Sequence, residues 1–414
     1  MLPNRTLRIS RVSIVSTLLL AMPLGFLASC ATPRAAGREA REAADARFRR
    51  TTSVVNFDQA RQAFESGELE KARTSIEAAI ARSDREAAYW SLLGRIELES
   101  RRLERALAAF GRAMECDPSF AEAYYYRGVL HQRWSQDDSA IDDYLKAHEL
   151  APERVAYLLA AAEMLVAERR LDEARTLLLQ KLAYFEHSAA MHELLGDVAS
   201  LEGDPAAAAR SYERAAVIDP EAPLVGEKLV SAYFAAGEWQ ACLDAARRQR
   251  AAAEAGPNGG LAAIPAEVHR HEGRALAMLG RHGQARDVFA GQVRAYPEDA
   301  DAWRDLAVSS LAAGDPSRAE VAAERFVALR PDDAAGYTLR GLAALRQGRA
   351  EEAVRWQRLA VARAPQDAKV RVALGMALEA AGRRADAARA FADAMRLDPD
   401  SEVARSAFAQ VSPE

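Results

Sequence analysis

The sequence predicts an all-α chain, an α-solenoid of about ten helix-turn-helix hairpins. Its main support is a series of small residues: Ala72, Ala106, Ala140, Ala174, Ala208 and Cys242 fall 34 residues apart, and after one step of 43 the series resumes at Ala285, Ala319, Ala353 and Ala387. Glycines and prolines recur at their own fixed offsets from that series. A small residue held at such a period marks two helices that cross too closely for a larger side chain, once in every repeat.

The N-terminus stands apart from the repeats. Arg5, Arg8 and Arg11 precede an apolar run from Val12 to Leu27, the layout of a secretion signal over 1–29. The run is short for a membrane span. It ends in Leu27-Ala28-Ser29-Cys30, which resembles the lipobox of bacterial lipoproteins. That resemblance implies a mature chain that begins at Cys30 with lipid on its thiol and its amine, and no other cofactor. Two acyl chains on one residue suffice for stable anchoring. Ala31 stands where an aspartate would retain such a lipoprotein in the inner membrane, which implies the outer membrane, with the chain facing the periplasm. Residues 30–52 are then a lipidated terminus and tether, helical around Arg38 to Arg49.

Ten windows follow in register, six over 53–256 and four over 266–401. One shows Trp90, Leu93, Gly94, Ala106, Phe110, Ala113 and Pro118, and the last shows Leu374, Gly375, Leu378, Gly382, Ala387, Phe391, Ala394 and Pro399. Each window resembles a tetratricopeptide repeat, which implies a right-handed superhelix with a concave groove for polypeptides. The physical role of each position is readable beside that resemblance. Gly94, Gly128, Gly196, Gly273, Gly341 and Gly375 let the two helices of a hairpin approach, while Trp90, Tyr124, Trp303 and Tyr337 fill the space between hairpins. Glycines from Gly67 to Gly382 close the first helix of seven hairpins, and prolines from Pro118 to Pro399 end the second, because proline cannot donate the next hydrogen bond.

Departures from the pattern mark joints. Residues 257–265, rich in proline and glycine, form an insertion that reads either as a hinge between two blocks or as a loop bulging from an unbroken array. Window 155–188 is weaker, with Leu178 and Lys181 at the sites held by Phe110 and Ala113 and with no terminal proline. After the last repeat, 402–414 reads as a capping helix, reaching Val411, and a tail.

No catalytic constellation competes with the repeats. The chain carries −5, and −8 once the three arginines of the signal are removed, which disfavours nucleic acid as a partner. Cys116 and Cys242 lie too far apart along the solenoid to form a bridge, and both read as buried packing residues. His269 and His271 are two apart on a helix and point to different faces, and His187 with His192 span a helix junction. No His-Glu-x-x-His spacing occurs, and the glycines at 256, 259 and 260 are not followed by the Lys-Ser or Lys-Thr of a phosphate-binding loop. Asp137, Asp138, Asp142 and Asp143 read as helix-start and surface charges rather than a hydrolytic pair. An enzyme with a metal or a small-molecule substrate is not expected.

In tetratricopeptide proteins the first helix of each hairpin lines the groove through its second, fifth and ninth positions, and the resemblance carries these onto the chain. Arg61 and Arg95 make the early groove basic, and Glu163, Glu193, Asp197 and Glu227 make the middle acidic. Arg270, Arg274 and Arg304 return it to basic, and Val308, Leu342 and Met376, joined by Val372, form an apolar stripe. Tyr125 is the aromatic anchor expected at the groove. The paired-asparagine clamp for acidic C-termini is absent, since the mature chain has only Asn56 and Asn258.

The expected function is a lipid-anchored scaffold or adaptor that binds proteins or peptides in its groove and meets the membrane through its anchor. Lipoproteins of this make-up serve pilus biogenesis and the assembly of other envelope complexes. Two alternatives remain open: a regulatory subunit that recruits a cell-wall hydrolase, and a structural lipoprotein that assembles with itself.

Overall fold

In a computed structural model the described residues are 33–255 and 264–411, and they form twenty-one helices and no strand. The signal, Cys30 and nearly all of the insertion lie outside the described residues. The helices fall into two compact units, one up to Pro118 and one from Ser119 onward. In the first unit, α1 (Pro33–Glu65) pairs with α2 (Leu69–Ile80), and α3 (Ala87–Glu99) pairs with α4 (Leu103–Cys116). The second begins with α5 (Ala121–Arg133) and α6 (Asp137–Leu150), α7 (Val155–Ala167) and α8 (Leu171–Leu182), α9 (Ala189–Leu201) and α10 (Pro205–Ile218), then α11 (Pro223–Ala235) and α12 (Trp239–Ala255). It continues with α13 (Ala266–Met278) and α14 (His282–Ala295), α15 (Ala300–Ala312) and α16 (Pro316–Leu329), α17 (Ala334–Arg346) and α18 (Ala350–Arg363), α19 (Ala368–Ala380) and α20 (Arg384–Leu397), and ends in α21 (Glu402–Val411). The all-α fold of ten hairpins is as the periodicity requires.

Helix boundaries follow the punctuation residues. The seven turn glycines, Gly67, Gly203, Gly237, Gly280, Gly314, Gly348 and Gly382, all have φ between 72° and 79°, a left-handed conformation that costs glycine nothing in side-chain clash. At the same register in the second, third and fourth repeats stand Arg101, Ser135 and Arg169, with φ of 60°, 54° and 60°. Those three turns take the same shape without glycine. Each of the prolines Pro118, Pro152, Pro220, Pro297, Pro331, Pro365 and Pro399 lies two residues beyond the last residue of a second helix. The fourth repeat lacks that proline, and its second helix, α8, is shorter than its neighbours, at 12 residues. Several first turns are capped: Asp204 and Asp315 accept from Ala207 N and Arg318 N ahead of prolines at the helix start.

All ten members of the small-residue series have no exposed surface. The approach of paired helices is locked sixteen residues apart. A Cβ added to Gly94 would lie within 3 Å of the Phe110 ring, and the same holds for Gly128 with Tyr144, Gly196 with Tyr212, Gly273 with Phe289 and Gly375 with Phe391. Where the first helix carries something larger, the second carries something smaller than an aromatic ring: Ala60 with Ile76, Ala162 with Leu178, Val230 with Ala246 and Ala307 with Ala323, each fully buried. Size is thus traded across one contact so that the packed volume is kept.

Three features differ from expectation. The tether is not separate, because α1 runs unbroken from Pro33 through the first repeat, in a stretch rich in the helix formers alanine, arginine and glutamate. Trp90, Trp303 and Tyr337 do more than fill space: they donate to the carbonyls of Asp84, Pro297 and Pro331 at 2.7, 2.8 and 2.9 Å, each six residues upstream. His192 and Arg371, at the same register, reach the carbonyls of Glu186 and Pro365 in the same way. Cys242 is buried as expected and its thiol is pushed up to about 12 by burial, but Cys116, the last residue of α4, is only half-buried, with its thiol donating to the Asp84 carbonyl.

Helix α21 lays Ala404, Val411 and Phe408 against Phe391 and Ala394, covering the apolar face of the last hairpin.

Candidate partner-binding groove

The first helices of the hairpins carry the residues projected to line the groove, and their surroundings decide which of them are available to a partner. In the first unit, Arg61 is exposed and pairs with Asp58 at 3.2 Å, one helical turn away. Arg95 lies half-buried with its guanidinium 5.0 Å above the ring of Phe64.

In the second unit, Tyr125 sits in an aromatic cluster, its ring 4.9 Å from Tyr157, 5.1 Å from Tyr126 and 5.5 Å from Tyr144. Half of its surface is thereby committed to packing. Beside this cluster, Asp143 departs from the expected surface charge: it is buried and accepts two hydrogen bonds from Arg127, at 2.6 and 2.7 Å. Such a bidentate pair fixes α5 against α6.

The acidic stretch forms around a residue that the projection missed. Lys228 on α11 reaches back to α9 and donates to Glu193 at 2.7 Å and Asp197 at 2.8 Å. Asp197 also accepts from the Tyr212 hydroxyl at 2.7 Å. One ammonium thus bridges two carboxylates and leaves net negative charge. Glu163 and Glu227 have no ion pair or side-chain hydrogen bond among the described residues. Desolvation by the surrounding helices raises the pKa of Glu163 above the usual carboxylate range, and the charges of Glu193 and Asp197 add to it. Glu227 is raised by burial alone.

The next zone is not basic, although three arginines lie there. Arg270 pairs with Glu267 and with Asp299 at 3.2 Å, Arg274 with Asp305 at 2.8 Å, and Arg304 with Asp301 at 2.8 Å and Asp305 at 3.3 Å. Four carboxylates therefore answer these three guanidinium groups and a fourth, Arg330, which holds Asp301 at 3.0 Å. Glu267 and Asp301 stand at second positions of the same two helices, which the projection includes and the reading by arginines alone passed over, while Asp299 caps α15 and Asp305 lies at a position outside the projection.

The apolar stripe is interrupted. Val308 and Met376 are 50% and 39% exposed, Leu342 is half-buried, and Val372 belongs to the core at 8%. Arg304 and Val308 share the wall of a cleft of about 510 Å³ with Thr338, Lys369 and Val370. Among the described residues no group of histidine, cysteine or carboxylate side chains is placed to hold a metal ion.

Comparison with known proteins agrees with this geometry. The family profile described as Tetratricopeptide repeat matches residues 57–119, 159–223, 271–323 and 304–368. No curated protein matches the chain. Among solved structures, the C-terminal part of a repeat-containing protein from Cytophaga hutchinsonii is 15% identical, with 60% of this chain and 99% of that one covered and a TM-score of 0.48. A tetratricopeptide repeat protein from Parabacteroides merdae is 14% identical over 63% of this chain and 99% of its own, with a TM-score of 0.41. Pseudomonas aeruginosa pilF is 21% identical over 52% and 93%, with a TM-score of 0.40. Repeats of this kind are protein-interaction modules whose stacked helices present extended binding surfaces. The profile matches cover more than half of the sequence, and the chain belongs to the tetratricopeptide-repeat family, as an interaction scaffold.

Proposed function

We propose that this chain is a lipid-anchored adaptor on the periplasmic side of the outer membrane, and that it gathers polypeptides carrying basic segments during assembly of a pilus or another envelope complex. The observation that carries the binding half is the group around Lys228: Glu163 is held without a partner beside Glu193 and Asp197, and Glu227, next to Lys228 on α11, is unpaired and desolvated. Carboxylates kept unpaired in this way gain most when a lysine or arginine of a partner arrives. The anchoring half rests on the signal layout and on the resemblance of Leu27-Ala28-Ser29-Cys30 to a lipobox. Among the described residues no helix is long and apolar enough to cross a membrane.

Two measurements test the two halves. Fluorescence anisotropy with lysine- and arginine-rich peptides should show saturable binding, weakened several-fold by Glu163→Gln with Glu227→Gln and by added salt. Equal affinity for acidic peptides, or no loss in the double variant, would overturn the groove reading. In cells, radiolabelled palmitate should enter the chain and fail to enter Cys30→Ser; a wild-type chain that takes up no label would remove the anchor.

A further inference from the structure

The net charge of the chain hides a segregated one. Residues 31–52 carry six arginines against three carboxylates, whereas the repeats that follow are acidic. This basic stretch is the leading arm of α1, and every residue from Gly37 to Thr51 is exposed, so no hairpin covers it. Of its arginines, Arg38 pairs weakly with Glu42 at 3.6 Å. Arg41, Arg47, Arg49 and Arg50 have no carboxylate partner among the described residues. Further along the same unit Arg61, Arg73, Arg102 and Arg112 each hold a carboxylate. Four arginines without a carboxylate partner thus lie close together on one uncovered helical arm.

The arm also carries an aromatic side chain where packing does not call for one. Phe48 is 70% exposed, and Val55, one heptad further on, is 48% exposed. At about 100° per residue, Arg41, Phe48 and Val55 fall nearly on one line along the helix, with Arg38 and Arg49 within the same third of its circumference. Exposed apolar side chains at one edge of a row of arginines, with Arg47 and Arg50 elsewhere on the circumference, give a helix whose ring can reach an acyl boundary while its guanidinium groups meet phosphates.

We infer that residues 34–55 of α1 form a docking arm for anionic phospholipid, which lies along the membrane surface. The arm starts three residues after Cys30, so an anchor at that cysteine would hold it within about 10 Å of the headgroups. To that extent the inference rests on the anchor reading, yet the arm's own affinity does not need the lipid. Attraction to anionic lipid supplies roughly fivefold per surface-apposed arginine and fades beyond a Debye length.

The test uses the lipid-free chain from Ala31 to Glu414, which keeps every described element, in sedimentation with phosphatidylcholine vesicles made with or without phosphatidylglycerol. The chain should sediment with the anionic vesicles and be released by high salt. Replacing Arg41, Arg47, Arg49 and Arg50 by glutamine should lower the partition coefficient at least about tenfold. Replacing the exposed Arg210, Arg214 and Arg247 of the repeats by glutamine should leave it unchanged. Equal sedimentation with neutral vesicles, equal binding by the arm variant, or binding to single-stranded DNA as tight as to anionic vesicles would each overturn the inference. Failure here with palmitate labelling intact would remove only the arm; binding here without labelling would remove only the anchor.

Discussion

Gly375 and Phe391 occupy one contact: a Cβ on the glycine would overlap the ring, and the ring itself has no exposed surface. The repeat built on Ala162 and Leu178 shows the alternative solution, a methyl group facing a smaller branched side chain. Gly375→Ala alone should therefore destabilise by roughly 1–3 kcal/mol through overpacking. Phe391→Leu alone should cost roughly 1–2 kcal/mol through lost packing. The double variant should cost less than the sum by about 1 kcal/mol, because it rebuilds a pair that the chain already uses. Chemical denaturation of the four proteins measures the coupling, and strict additivity would contradict the size exchange described for this contact.

Arg169 holds a left-handed backbone, φ 60°, in a turn where seven other repeats use glycine. A side chain in that region costs about 1–2 kcal/mol, and glycine's extra freedom in the unfolded chain returns part of the gain. Arg169→Gly should raise stability by about 0.5–1 kcal/mol. The change should appear in the denaturation midpoint while helix content by circular dichroism stays constant.

Glu163 and Glu227 make a pH prediction with a definite sign. Both have pKa values raised in the fold above the ordinary 4.5. Within the window between the unfolded and folded values the native chain binds more protons than the unfolded one, so these two groups make stability rise as pH falls through that window. Above that window they are ionised and destabilising. Glu163→Gln should raise the denaturation midpoint at neutral pH, and its advantage should shrink as the pH approaches the ordinary carboxylate range. The opposite behaviour belongs to Glu320, whose pKa is lowered because hydrogen bonds from Arg349 and Gln347 outweigh burial; it contributes stability above its unfolded pKa that is lost on acidification. A Glu163→Gln chain that is more stable yet binds basic peptides less well would separate the binding role of the residue from any structural one.

Most of the architecture was legible because close helix crossing leaves a size constraint that recurs in sequence. The alanine series and the glycines opposite aromatic rings report steric exclusion, which depends on residue type alone. The clasp made by Trp90, His192, Trp303, Tyr337 and Arg371 was not legible as one device, since these residues share neither size nor charge, only a donor far from the backbone. The groove was harder still. Lys228 lies one position beyond the projected lining site held by Glu227, and long side chains reach across to neighbouring helices, so the charge at a given place is set by residues about thirty positions away. Cys116 was misjudged because its register is that of the last residue of a second helix, where Leu150, Ile218, Leu329 and Leu397 are likewise only half-buried.

Two kinds of contact divide the labour in this chain. The locks, such as Gly273 with Phe289, close within a single hairpin, while arginine stitches such as Arg170 to Asp138 or Arg349 to Glu320 run between successive hairpins along the outer helices. The stitches range from exposed, as between Arg170 and Asp138, to part-buried, as between Arg349 and Glu320, and the exposed ones are individually weak. A hairpin that is duplicated, lost or exchanged therefore keeps its own lock, and what must find new partners is the charge network between hairpins, a few members of which, such as Glu272 held by Arg250, are buried. Lengthening such a chain by one unit of 34 residues is consequently a far smaller disturbance than inserting a single residue within a lock.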